Sequence, residues 1–259
     1  MLYNLHTHTY RCNHAKGEDR EYVEAAIGAG LRVLGFSDHS PQFFKPHGYY
    51  SHFRMRPGQF EDYVTSIRAL QREYRDDIRI LLGLETEYYP ECFDRLREFI
   101  APFEIDYMIL GQHFVGNEYD EELYLDNGKY GERYLRQYIK QVSEALRTGE
   151  FTCFAHPDIA YFGGSRDVYE REMSKLCAVA KQLDVPLEFN MLGYQNGRSY
   201  PDPAFWRVAA RTGNKTVLGF DAHSPKALSN TDVYNECHGK LAKLGITPAA
   251  WDTFAVAKP

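Results

Sequence analysis

Leu2-Tyr3-Asn4-Leu5-His6-Thr7-His8 and, beyond one helical segment, Leu31-Arg32-Val33-Leu34-Gly35-Phe36-Ser37-Asp38-His39 decide the fold. Each is a short apolar run that ends in metal-capable side chains, and between them residues 18–29 read as a helix stopped by Gly30. Strand, helix and strand in that order form the unit of a parallel sheet with a crossover helix.

The same unit recurs along the chain. Residues 57–75 have helix character, with Pro57 near the start and Phe60, Val64, Ile67 and Leu70 close to helical spacing, and they lead into a third strand at 78–84. A short helix at 92–100 precedes a fourth strand at 105–110, and a long polar loop then runs through Gly128. Residues 130–147 follow as an amphipathic helix stopped at Gly149. The remaining strands are expected at 151–155, 186–189 and 215–220, with helices at 168–183, 203–212 and 231–244. The strands' continuous apolar character fits burial on both faces. The expectation is an α/β fold, a distorted seven-unit (βα)7 TIM-like barrel with parallel strands. No linker or low-complexity tract divides it, so residues 1–259 read as a single barrel domain.

The composition is that of an ordinary globular chain, with 44% hydrophobic and 25% charged residues. A formal charge of −6 argues against a nucleic acid held by the protein's own positive field, but leaves room for an anionic substrate if metal ions supply the charge. The amino terminus lacks the pattern of a signal peptide and no apolar run approaches a membrane helix, so the expected address is cytoplasmic, with no membrane partner. Five scattered cysteines without a Cys-x-x-Cys pair speak against a disulfide scaffold or a zinc ribbon. No feature sets an oligomeric state.

The chemistry lies where the strands end. His6 and His8 close the first strand, with His14 shortly after, and Asp38-His39 closes the second. Glu85 ends the third strand, His113 follows the fourth and His156 the fifth. Glu188-Phe189-Asn190 ends the sixth strand, and Asp221 with His223 the seventh. Seven of the ten histidines thus fall at the carboxyl ends of expected strands, the face on which barrel enzymes keep their sites. A lone His-x-His pair is weak evidence, since alternate residues of a strand share a face for many reasons. Its recurrence with carboxylates at the same topological place points to metal, and an imidazole and carboxylate set suits zinc, iron or manganese.

These residues resemble the PHP family, named for polymerase and histidinol phosphatase, and in particular its stand-alone histidinol-phosphate phosphatase branch. The matching stretches are His6-Thr7-His8-Thr9 with Cys12-Asn13-His14-Ala15, Gly35-Phe36-Ser37-Asp38-His39-Ser40-Pro41, Gly83-Leu84-Glu85, Gly111-Gln112-His113-Phe114, His156-Pro157-Asp158 and Gly219-Phe220-Asp221-Ala222-His223-Ser224-Pro225. The resemblance implies two or three divalent metal ions. One would take His6, His8, Glu85 and Asp221; a second would share Glu85 as a bridge and add His113 and His156; a third would take His14, His39 and His223. A bridging carboxylate suits a two-metal clamp on a phosphoryl group. The expected reaction is attack of a metal-bound hydroxide on a small phosphate monoester, L-histidinol phosphate in the first place, with Asp221, His223 or a metal-bound water returning the proton. Phe220 departs from the family pattern, which carries a small polar residue before the aspartate, and is expected to alter packing beneath Asp221.

Other residues carry two readings each. Asp38 either orients a ligand imidazole or caps its loop. Arg198 is either a bidentate phosphate clamp or a solvated loop residue. Asn190 and Gln112 either meet substrate or complete strand ends, and Lys16 either attracts phosphate or stays in solvent. His47, His52 and His238 read as structural. Tyr49, Tyr50, Tyr88, Tyr89, Tyr119, Tyr124 and Tyr161 line a pocket, form an interface or cover the barrel mouth. Competing functions are a PHP phosphoesterase for a nucleotide, sugar phosphate or oligonucleotide, an amidohydrolase, and a metal-binding domain without catalysis.

Overall fold

The computed structural model describes residues 2–44, 49, 51–119, 124–125, 131–253 and 256, with Asp252 described by its backbone alone. His47, Tyr50 and Tyr130 lie outside the described residues.

Seven strands form one parallel sheet whose spatial order is the chain order: β1 (Tyr3–Asn4), β2 (Val33–His39), β3 (Arg79–Thr86), β4 (Tyr107–Leu110), β5 (Cys153–Phe154), β6 (Leu187–Asn190) and β7 (Thr216–Gly219). Helices follow the strands as α1 (Asp19–Gly28), α2 (Phe60–Glu73), α3 (Phe93–Ile100), α4 (Glu132–Arg147), α5 (Arg166–Gln182), α6 (Met191–Gln195), α7 (Pro203–Thr212) and α8 (Thr231–Lys243). The sheet curls until its edges meet. Thr7 and Ala222 form a parallel bridge, with His8 N donating to the Ala222 carbonyl at 2.9 Å and Ala222 N to that of His6 at 3.1 Å. Beneath this seam the Asn4 side chain does the work of missing main-chain bonds: Oδ1 accepts from Phe220 N and His6 N, and Nδ2 donates to the His6 carbonyl and Thr7 Oγ1. The result is the expected seven-unit barrel.

The two strand faces serve different cores, following the period of two. Leu34, Phe36, Ile80, Leu82, Leu84, Met108, Leu110, Phe154, Leu187, Phe189 and Leu218 point outward beneath the helices. Tyr3, Leu5, Val33, Leu81, Tyr107, Ile109, Cys153 and Val217 fill the barrel, against which Ala249, Trp251 and Val256 pack. With its lower interior filled by side chains, the barrel opens to solvent chemistry at the strands' carboxyl ends.

Element boundaries shift where polar residues find partners. The apolar pattern ends the second strand at Phe36, yet β2 continues through Ser37-Asp38-His39 and pairs in register with Gly83-Leu84-Glu85. The fifth strand shrinks from the expected five residues to Cys153–Phe154 because the chain turns at His156, whose φ is 33°. The short helix α6 has no counterpart in the apolar pattern; Asn190 caps it, its side chain accepting from Gly193 N. Phe220 is buried, its ring stacked on Tyr234 of α8 with centroids 6.2 Å apart.

Candidate metal centre and active site

The nine residues expected to hold metal come together at one end of the barrel. His6 and His8 extend from β1, His39 ends β2, Glu85 lies in β3, His113 and His156 follow β4 and β5, and Asp221 and His223 follow β7. His14 enters from the short 3-10 turn Tyr10–Cys12, which the Thr9 side chain caps. Glu85 occupies the centre. Its Oε1 lies 2.8 Å from His156 Nε2, 3.5 Å from His6 Nε2 and 3.9 Å from His113 Nε2, while Oε2 lies 3.0 Å from His39 Nδ1 and 3.5 Å from His8 Nε2. Asp221 Oδ1 faces His6 Nε2 at 3.4 Å, His8 Nε2 at 3.1 Å and His223 Nδ1 at 3.3 Å.

Glu85 reaches the centre because the adjoining strand end makes room. A Cβ on Gly111 would lie 1.9 Å from Glu85 Oε1, so only glycine is compatible with this placement. Two of the expected ligand positions also carry unusual backbone: His156 and Asp221 have φ of 33° and 50°, values that non-glycine residues adopt rarely and that surrounding structure must enforce.

The donor chemistry fits divalent cations. A neutral imidazole has one proton and one lone pair. His14 Nδ1 pairs with the Cys12 carbonyl at 2.8 Å and His223 Nδ1 with that of Asp221 at 3.0 Å, contacts that require the proton on Nδ1. Both Nε2 atoms then present lone pairs to each other across 2.9 Å, an arrangement that asks for a cation between or beside them. His6 Nε2 and His8 Nε2 lie 3.1 Å apart. Glu85 Oε2, Asp221 Oδ1, His8 Nδ1 and His39 Nδ1 are buried without a hydrogen-bond partner, a costly condition for polar atoms. Triads of close donor atoms recur through the cluster, among them His6-Glu85-His156, His6-His8-Asp221 and His8-His39-His223.

Electrostatics divide the cluster. Burial works to raise the Glu85 and Asp221 carboxyls, yet the surrounding imidazoles hold both well below the usual carboxylate range. Burial likewise works against a charge on His6, which Glu188, Asp221 and Glu85 outweigh, so its pKa rises. His39 and His223 go the other way: burial, with His8 adding to it, pushes His39 far down and His223 down to about 3.

A cavity of about 470 Å³ opens beside these groups. His8, His14, His39, Glu85, His113, Asp221 and His223 form its floor, and Phe53, Phe114, Tyr124, Leu192, Asn196, Arg198 and Tyr200 its walls. Arg198 stands at the lip, its Nη1 donating to Tyr200 Oη at 2.6 Å. Lys16 and Asn190 are not brought to the cavity. The Lys16 side chain is exposed to solvent while its backbone N donates to the His223 carbonyl, so the residue ties loops together. Asn190 is fully buried, with all its polar atoms engaged by Glu188, Asp221 and Gly193 N. Gln112 likewise completes its strand end through Tyr88 N and the Phe114 carbonyl. Asp38 does more capping than orienting: it accepts from the Thr9 hydroxyl and His39 N, and stands 3.5 Å from His8 Nδ1. His52 and His238 are exposed, away from the cavity. Of the seven tyrosines expected near the barrel mouth, Tyr124 lines the cavity, while Tyr200, which the motifs did not single out, joins it there.

One buried assembly was not legible in the motifs. Glu87 Oε1 accepts from His113 Nδ1 at 2.8 Å and from His113 N at 3.1 Å. Its Oε2 accepts from Arg54 and the Tyr89 hydroxyl. Arg54 also grips Glu118 through Nε at 2.9 Å, and Tyr49 donates to Glu118 Oε1 at 3.1 Å. The signal was Glu85-Thr86-Glu87, two carboxylates on the same strand face.

A family model described as the PHP domain matches residues 4–191. The chain belongs to the PHP family. Among similar PHP proteins, one from Deinococcus radiodurans named probable histidinol-phosphatase is 35% identical over 234 residues, covering 86% of this chain and 87% of that one. Histidinol-phosphatase of Bacillus subtilis is 26% identical, covering 84% of this chain and 92% of its own. Among solved structures, the histidinol phosphate phosphatase of Lactococcus lactis subsp. lactis, crystallised with zinc, L-histidinol and phosphate, superposes with a TM-score of 0.73 at 21% identity, covering 99% of this chain and 98% of that one. That likeness establishes the shared barrel. Among the described residues no helix is long and apolar enough to cross a membrane.

Proposed function

We propose that this PHP protein is a metal-dependent phosphatase that hydrolyses L-histidinol phosphate to L-histidinol and phosphate. The observation that carries the reading is the set of converging lone pairs around Glu85 and Asp221, beside a cavity with a guanidinium at its lip. The names of its relatives support the substrate: proteins similar over most of both chains are named probable histidinol-phosphatase and histidinol-phosphatase.

On this reading His6, His8, Glu85 and Asp221 hold one ion, Glu85 with His113 and His156 a second, and His14, His39 and His223 a third, the ions being zinc, manganese or iron. Such ions, when bound, polarise phosphoryl oxygens and acidify water. The protein's own residues supply the rest. Glu85 offers one oxygen to His6, His113 and His156 and the other to His8 and His39, so both of its oxygens face donor groups of the centre. Arg198 meets the outer phosphate oxygens, where a planar guanidinium is well matched. Phe53, Phe114, Tyr124 and Tyr200 cover the organic half of the substrate and exclude water from it. Asp221 and His223 lie at the cavity floor, but their surroundings keep both unprotonated, so on this reading the proton that the departing alkoxide takes up comes from water at the centre.

The test is phosphate release by the purified chain from histidinol phosphate, an aryl phosphate and a phosphodiester. The expected outcome is a kcat/KM for histidinol phosphate that exceeds the other two. Preference for another ester would overturn the substrate assignment and leave the centre standing.

A further inference from the structure

Glu188 is a buried carboxylate with no place in the metal set and no contact with the cavity. It projects inward from β6, 1% exposed, and among the described residues it ion-pairs with no arginine or lysine. A carboxylate in such a position is expensive unless both oxygens are satisfied. Both are. Oε2 accepts from His6 Nδ1 at 2.8 Å and Oε1 from Asn190 Nδ2 at 2.7 Å. The same Asn190 amide reaches Asp221 Oδ2 at 3.1 Å, and Asn190 Oδ1 is held by Gly193 N at 2.8 Å, which fixes which way the amide points. The neighbouring strand leaves space for the group: a Cβ on Gly219 would lie 2.2 Å from Glu188 Oε2.

An ionised carboxylate only accepts hydrogen bonds. Facing His6 Nδ1, it draws the imidazole proton there and leaves Nε2 as a lone pair directed at Glu85 and Asp221. We propose that Glu188 is a positioning residue that fixes His6 as its Nδ1–H tautomer so that Nε2 can take a divalent ion, with Asn190 tying the same carboxylate to Asp221. The inference deepens the function proposed above and rests on its reading of His6 and Asp221 as ligands.

The hydrogen-bond pattern makes Glu188→Gln a selective probe. Glutamine has nearly the same shape but one acceptor and one donor end. If its oxygen faces His6, its NH2 meets the NH2 of Asn190, which cannot flip without losing Gly193 N. If its NH2 faces His6, the ring must move its proton to Nε2 and cannot ligate. The first orientation keeps the tautomer but strains the carboxamide against Asn190, the second removes the ligand, and both weaken the preset site while the core keeps its volume.

Two measurements on the full chain test this. Competition with a chromophoric chelator gives the zinc dissociation constant, expected to rise about 10- to 100-fold in Glu188→Gln, the range seen when partners of ligand histidines are removed. The chelator-treated variant is expected to keep the wild-type far-ultraviolet circular dichroism. Long-range proton–nitrogen correlation spectra of the metal-free wild type, at a pH where His6 is neutral, are expected to show His6 protonated at Nδ1, a preference that no bound zinc is there to impose. Unchanged zinc affinity in a folded Glu188→Gln variant would overturn the proposal, as would a His6 proton on Nε2 in the wild type. The second result decides the matter even if the variant does not fold. A wild type that binds no zinc would instead bring down the metal reading itself.

Discussion

Replacing Arg54 by methionine perturbs the site without touching it. The guanidinium is 3% exposed and bonded to Glu87, Glu118 and the Ser40 carbonyl, with the Phe53 ring 4.6 Å from its centre. Methionine retains some of the packing and removes every donor, so two buried carboxylates lose the arginine that pairs with them. Breaking a buried pair in this way costs about 3 to 5 kcal/mol, and at about 2 to 4 °C per kcal/mol for large domains the melting temperature should fall by about 6 to 20 °C. The sign of the pH dependence follows from Glu87. Burial tends to raise its pKa, but Arg54 foremost and His113 next hold it below the usual carboxylate range. A depressed carboxyl contributes stability that is present above its unfolded pKa and lost as pH falls through its folded one. The gap between wild type and Arg54→Met should therefore be widest near neutral pH and narrow as the solution is acidified below the usual carboxylate range. Thermal melts by circular dichroism at neutral and acidic pH measure it. A variant melting within 2 °C of wild type at neutral pH, by the scale of about 2 to 4 °C per kcal/mol, would refute the claim that this network holds the loop against His113.

Three further outcomes are expected. Glu85→Ala should lose bound metal and phosphatase activity together, by elemental analysis and phosphate release; retained stoichiometry would contradict a bridging role. Gly111→Ala places a methyl where Glu85 Oε1 now lies, so it should reproduce the metal loss of Glu85→Ala by displacing that carboxylate, and wild-type metal content would show that the strand end yields. Arg198→Ala should raise KM for histidinol phosphate with no change in metal content, whereas Lys16→Ala, whose side chain points to solvent, should leave KM unaltered; equal effects from the two would remove Arg198's special role.

The seven-unit barrel was legible because the strands are apolar runs buried on both faces and several helices are closed by recognisable residues such as Gly30 and Gly149. The convergence of the nine expected ligands was legible for a related reason: a parallel barrel converts the ends of distant strands into one surface. Less visible was anything defined by partners rather than by position. Asn190 and Lys16 stand at strand ends or loops like true site residues, yet one is consumed inside the core and the other points to solvent. Arg54 and Glu118 are separated by 64 residues, and no local pattern announces that they meet beneath His113. Glu188 lies in an apolar strand whose register had to be known before it could be seen to face His6. Burial and pairing of charge are tertiary facts, and a single chain's pattern records only which face a residue occupies.

The central claim is that the converging histidines and carboxylates hold metal that this chain needs to cleave histidinol phosphate. The most direct measurement is the initial rate of phosphate release from histidinol phosphate before chelation, after chelation and after metal is restored. The account predicts activity that disappears with the metal and returns with zinc, manganese or iron. Full activity in chelated protein shown by elemental analysis to be metal-free would contradict it.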